Sequence, residues 1–266
     1  MNKGIKDDLR QIGVVTQYEL YKHIRSRRLL IFAGLMALLF ILITVLYIYF
    51  GGLPNDPSEF MSSYVAFISL LIIVGVSLLC APAIASEFEE RTALLLFPRP
   101  IKRTSFFVGK VLACYIVCGV TIIAYYLACM LLSFIVAGGV DVKALGSLGM
   151  ALLFMLGAGG FAFLMSALFK KGSTAVIITI AMLLLVLGMI EGIMMFFNVE
   201  PLFSLTYASL DIMNIIEGNV TQQMAIGGGM YMTLFYPSHL VSVTIMLSYF
   251  AVTTALSAFL FKRREF

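Results

Sequence analysis

The chain has 266 residues, of which 61% are apolar and only 12% charged, and its mean hydropathy is +1.03. That is too little charge to cover a soluble domain of this length, so lipid must be the main solvent. The net charge of +4 does not argue for nucleic acid, because the cations cluster at the ends of apolar runs, where anionic headgroups and soluble partners are met.

In chain order, Ile5, Leu9, Ile12, Thr16, Leu20 and Ile24 recur at steps of three and four, with Asp7, Asp8, Arg10, Gln17 and Lys22 between them. The spacing predicts an amphipathic helix too polar to span a membrane. It ends in Lys22, Arg25, Arg27 and Arg28, just before an apolar run, so residues 1–28 are read as a cytoplasmic interfacial helix with its apolar stripe at the headgroup boundary. A cytosolic helix packed on a partner protein is the alternative. A cleaved leader is not expected, because this polar segment precedes a run longer than an ordinary leader's apolar region.

Six apolar runs follow, at residues 29–50, 63–85, 111–137, 146–169, 173–197 and 238–261, which together form a six-span transmembrane domain over residues 29–266. Each has at least 22 residues, about 33 Å as a helix and enough to cross about 30 Å of hydrocarbon. Of the 18 Lys and Arg residues, all but Lys143 fall on one side of these runs. The positive-inside rule makes that side cytoplasmic and predicts a multi-pass protein of the cell membrane with both termini inside.

Cys80, Cys114, Cys118 and Cys129 all lie inside the runs, which leaves no extracellular disulfide framework. Cys114 and Cys118 share a helix face and could hold a soft metal, but no His or acid lies near them in sequence, and two small buried thiols is the simpler reading. In the fourth run Gly146, Gly149, Gly157 and Gly160 fall on nearly one stripe and predict close helix packing, within the subunit or across a dimer. Lys170, Lys171 and Gly172 leave room only for a tight hairpin before the fifth run.

Glu191 is the only Asp, Glu, Lys or Arg inside a run, where a charge costs about 2–3 kcal/mol. Either it lines the translocation path or gate beneath an outer cap, or it reaches to the outer surface. The segment 198–237 is too apolar for a free loop and too interrupted by Asp211 and Asn214 for a span. It predicts a short helix or helical pair dipping into or capping the outer face. Gly227, Gly228 and Gly229 then supply a flexible turn before the last run.

The loop between the second and third runs carries Glu87, Glu89, Glu90, Arg91 and Thr92, then Pro98, Pro100, Lys102, Arg103, Gly109 and Lys110. Residues 87–97 can form a short amphipathic helix, which Pro98 and Pro100 must stop. Such a rigid charged elbow suits docking on a soluble protein. A solvated loop would explain its cations but not its three acids.

The six runs, the interfacial helix, this loop and the outer segment together resemble the ABC type-2 permease family over essentially the whole chain. The most specific likeness is at residues 87–110, where an acidic stretch leads to Thr92, then Pro100-Ile101-Lys102-Arg103, then Gly109-Lys110. Arg91 stands where the family commonly has Gly, so the helix can run on there. The resemblance implies an all-α membrane protein with short outer helices between the fifth and sixth spans. It implies a coupling region at Glu87, Glu89, Glu90, Arg91 and Thr92, with its geometry held by Pro98, Pro100 and Arg103. It also implies two partners, a separate ABC ATPase that binds ATP and Mg and a second permease subunit, identical or different, with membrane lipid around both.

Gly109-Lys110 lacks the upstream glycine of a phosphate loop, so ATP would be hydrolysed by another polypeptide. The chain has no nucleophile elbow or zinc helix, and only His23 and His239 as histidines, so no catalytic, cofactor or metal residues are expected. The leading reading is the permease subunit of an ATP-driven exporter. The alternatives are an ion-coupled secondary carrier, which should show inverted internal repeats absent here, and a non-transporting anchor or sensor subunit of an ATPase complex.

Overall fold

A computed structural model describes residues 2–50, 52–89, 102–219, 221–227 and 230–263. It is helical almost throughout. Six helical stretches are long and apolar enough to cross a membrane: Arg27–Phe50, Pro57–Glu87, Arg103–Val136, Lys143–Leu168, Gly172–Phe196 and His239–Arg263.

Helix α1 (Asn2–Ile24) precedes the first span, α2 (Arg27–Phe50). Ser26 makes the turn between them by accepting hydrogen bonds at Oγ from the N–H groups of Arg28 and Leu29, an N-cap that satisfies donors the helix cannot. Most of α2 faces outward. Phe32, Met36 and Ile43 are its buried residues, and Phe32 fits because a Cβ at Gly75 would overlap its ring, at 2.3 Å from Cζ.

The second span is assembled from three pieces, α3 (Pro57–Val65), α4 (Ile68–Leu79) and α5 (Pro82–Glu89). Asp56 caps α3, with Pro57 at its first turn. The break before α5 follows from Pro82, which has no N–H to donate. There the Ala81 N–H reaches back to the Val76 carbonyl at 3.3 Å.

The third span, α6 (Arg103–Val136), starts earlier than the apolar run, so Gly109 and Lys110 lie inside a helix instead of in the loop assigned to them from sequence. The fourth span, α7 (Lys143–Leu168), is central and packs against α4 and α6. The fifth is α8 (Gly172–Ile180), a π-helical segment (Ala181–Val186) and α9 (Leu187–Phe196). The last, α12 (His239–Arg263), lies along α7.

The glycine stripe is used within the subunit. A Cβ at Gly160 would come within 2.5 Å of Thr253 Oγ1, one at Gly157 within 3.1 Å of the Met246 carbonyl, and one at Gly146 within 3.2 Å of Ile215 Cγ2, whereas Gly149 faces open space. Three of the four glycines therefore admit α12 or the outer segment to the surface of α7.

That outer segment holds the expected helical pair, α10 (Leu205–Ser209) and α11 (Asp211–Glu217), ended by Gly218 in the left-handed region at φ 68°. It also holds an unanticipated antiparallel hairpin, β1 (Gln222–Gly227) and β2 (Met230–Leu234), in which Gln222 pairs with Leu234 and Met224 with Met232. Gly227 ends β1, and Gly228 and Gly229 of the glycine run lie outside the described residues. Asn198 ties the hairpin down by accepting at Oδ1 from the Thr233 N–H at 3.1 Å and from its hydroxyl at 2.5 Å.

Candidate coupling site

The described part of the charged loop begins with α5, and each of its contacts lies on a different element. The Ile84 and Ala85 N–H groups, freed by the proline start of α5, donate to Ser166 Oγ of α7 at 2.9 and 3.0 Å. Glu87, only 6% exposed, accepts from Lys110 Nζ of α6 at 2.8 Å and from Lys22 Nζ of α1 at 3.1 Å. Lys110, itself 2% exposed, also reaches Glu19 Oε1 of α1 at 2.6 Å. Each of the buried charges, Glu19, Glu87 and Lys110, therefore has an opposite charge beside it, which its burial requires.

Gly109 makes that cluster possible. A Cβ there would lie 2.7 Å from Val15 Cγ1 and 3.2 Å from the Ile12 carbonyl oxygen, so α1 can sit on α6 only against a bare backbone. Thr16 Oγ1 crosses the same contact, donating to the carbonyls of Ile12 at 2.8 Å and Gly109 at 3.3 Å. Part of the predicted stripe, Ile12, Thr16 and Leu20, is therefore spent on the protein itself, while Leu9 and Ile24 stay more than half exposed.

Glu89 Oε2 accepts from the Gly172 N–H at the start of α8 at 2.9 Å. Arg103 begins α6 and donates to the Lys262 carbonyl of α12 at 3.3 Å, and Lys102 pairs with Asp8 at 2.7 Å. Of the residues singled out from sequence, Glu87, Glu89 and Arg103 are thus brought to one end of the bundle. Glu90, Arg91, Thr92, Pro98 and Pro100 lie outside the described residues. Sequence reasoning missed Glu19, Lys22, Ser166 and Gly172 as partners. Glu19, an acid on the packed side of an amphipathic helix, was the one available signal.

At the opposite end, Glu191 is half-buried and its carboxylate accepts from the hydroxyls of Ser204 and Thr206. Nearby, Tyr249 donates to the Phe203 carbonyl at 2.9 Å and Tyr207 to Glu200 Oε1 at 2.7 Å. Burial, and then the Glu200 carboxylate, pushes the Tyr207 hydroxyl above its ordinary range and keeps it a donor. Asp211 is fully buried and meets His239 Nδ1 at 2.8 Å. Lys143 Nζ donates to the Ile216 carbonyl at 3.2 Å, so the exceptional outer cation caps α11.

The cysteine reading needs one correction. A histidine does lie near Cys114, because α1 brings His23 Nε2 to 3.4 Å from its Sγ across 91 residues of sequence. Even so, no group of three or more His, Cys, Asp or Glu among the described residues is arranged to hold a metal.

No curated protein matches the chain. The profile of the ABC-2 family transporter proteins matches residues 14–266, nearly the whole length and every spanning helix, and the chain therefore belongs to the ABC-2 transporter family as a multi-pass membrane subunit that is not itself the ATPase.

Proposed function

We propose that this subunit is the permease of an ATP-driven exporter in the cell membrane, with both termini cytoplasmic, and that a separate ABC ATPase docks on residues 87–103. ATP and Mg would be bound by that partner, and a second permease subunit would complete the path. The observation that carries this reading is the convergence at the loop. Glu87 is joined to α1 and α6, Glu89 to α8, the start of α5 to α7, and Arg103 to α12. A push on a solvated loop would be lost in its own flexing. A push on this one is delivered to four spans and the N-terminal helix at once.

ATP binding would close the ATPase pair and favour one of two bundle arrangements, by differential contact with the two states. Glu191, hydrogen-bonded to Ser204 and Thr206, is assigned to the outer gate. The outer segment would part from α9 as the path opens.

The test is affinity purification of the full chain in mild detergent from its native membrane, with mass spectrometry and an ATPase assay, beside the double variant Glu89→Arg/Arg103→Glu. Capture of a soluble ATPase by the native chain and its loss in the variant are expected. A monodisperse native chain that captures no ATPase overturns the reading. ATP-dependent movement of substrate in reconstituted vesicles then separates a transporter from a non-transporting anchor.

A further inference from the structure

We propose that the elbow between α1 and α2 is a binding site for the phosphate headgroup of an anionic phospholipid. A cavity of about 260 Å³ opens there, lined by Lys22, His23, Ser26, Arg27, Arg28 and Lys110. Glu19 and Ser86 also face it, and Leu79 and Ala83 form an apolar wall.

Lys22 and Lys110 are paired with Glu19 and Glu87, whereas Arg27 and Arg28 are exposed at the cavity and present their charge to whatever enters it. Neither has an acidic partner among the described residues. Both stand in the first turn of α2, which carries no acid. The positive end of a 24-residue helix disfavours cations unless an anion sits against them. Topology alone asks only that cations flank a span. It does not ask that they line a cavity or share it with a buried lysine.

The position favours a lipid over a soluble anion. The cavity lies where the amphipathic helix turns into the first span, at headgroup level, and its Leu79–Ala83 wall suits a glycerol backbone behind the phosphate. The inference is independent of what the subunit transports and in which direction.

The experiment is native mass spectrometry of the full chain in detergent, titrated with dioleoylphosphatidylglycerol, dioleoylphosphatidylcholine or inorganic phosphate. Arg27→Gln/Arg28→Gln removes two charge-assisted contacts to the phosphate and should weaken phosphatidylglycerol binding about tenfold or more. Arg10→Gln/Arg25→Gln removes the same charge from exposed positions that do not line the cavity, and it should weaken binding clearly less than the cavity pair does. Ser86→Phe fills the cavity without changing charge and should also abolish the preference for phosphatidylglycerol. Equal binding of the two lipids, or equal losses in the two arginine pairs, would reduce the effect to general surface attraction and overturn the site. Displacement of phosphatidylglycerol by an equal concentration of inorganic phosphate would overturn the lipid assignment in favour of a free anion.

Discussion

Glu89 Oε2 lies 2.9 Å from the Gly172 backbone nitrogen, so a residue of the charged loop caps the fifth span. A Cβ at Gly172 would meet Pro82 Cβ at 3.2 Å, which keeps the α5 and α8 backbones close enough for the cap. Replacing Glu89 by Ala should cost about 1 kcal/mol, as losing a helix cap does, and Gln should recover most of it, because the acceptor and not the charge is needed. The four cysteines are all buried, so thermal unfolding can be followed with a thiol-reactive dye. Equal losses for Ala and Gln would show that the cap is not what the side chain supplies.

Lys110 is a larger commitment. Its removal leaves Glu19 and Glu87, with side chains 7% and 8% exposed, facing each other without the buried cation between them. Breaking a buried pair in this way costs about 3–5 kcal/mol. Lys110→Met should therefore unfold or fail to accumulate, while Lys110→Met/Glu19→Gln/Glu87→Gln should recover most of the stability. If the triple variant is no better than the single one, the lysine acts through its packing over the Phe106 ring, 5.1 Å away, and not through charge.

A paired substitution can test the seat of α1. Gly109→Ala places a methyl group 2.7 Å from Val15 Cγ1, and overpacking of this kind costs about 1–3 kcal/mol. Val15→Gly in the same chain removes both clashing atoms, Cγ1 and the Cβ at 2.8 Å, and should restore most of the melting temperature, less about 1 kcal/mol for a glycine inside a helix. Limited proteolysis after Arg10 should follow the same order, fast in Gly109→Ala and slow in the pair. Failure of Val15→Gly to rescue would mean that the Ile12 carbonyl, 3.2 Å away, is the real obstacle.

The spans and their order were readable because each is a run of apolar residues bounded by charge, a signal local in sequence. The partners of the charged loop were not. Glu19 meets Lys110 across 91 residues and Glu89 meets Gly172 across 83, and nothing in either neighbourhood specifies the other. The limits of α6 were missed for a related reason: hydropathy ends at Val111, but the backbone hydrogen bonds continue to Arg103 because α1 covers the polar turns. The outer hairpin was missed because its register, Gln222 with Leu234 and Met224 with Met232, is a pairing between two short segments that no apolar periodicity marks in sequence.

The glycine stripe gives a prediction about assembly. Because Gly157 and Gly160 face α12 in the same chain, Gly160→Ala should destabilise the single subunit and leave its tendency to dimerise unchanged. Thr253→Ala should relieve most of it, since Thr253 Oγ1 is the nearest atom, at 2.5 Å, with Thr254 Oγ1 next at 3.0 Å. Size-exclusion with light scattering, run beside thermal unfolding, reads both quantities. Loss of dimer without loss of unfolding temperature would place the stripe between subunits instead.

At the outer end, Ser204→Ala/Thr206→Ala removes the hydroxyl donors to Glu191, while Glu191→Gln keeps an acceptor and removes the charge. The pair of alanines strands a half-buried carboxylate, which costs about 1–3 kcal/mol, whereas Gln leaves both hydroxyls a partner. If these bonds hold the outer segment closed, the alanine pair should raise basal ATP hydrolysis in the reconstituted complex by loosening the closed state, and Gln should not. Labelling of a cysteine introduced at Phe203, which is half exposed beside Ser204, should rise in parallel. A stability loss with unchanged hydrolysis and labelling would make Glu191 a structural tie between α9 and the outer segment and remove it from the gate.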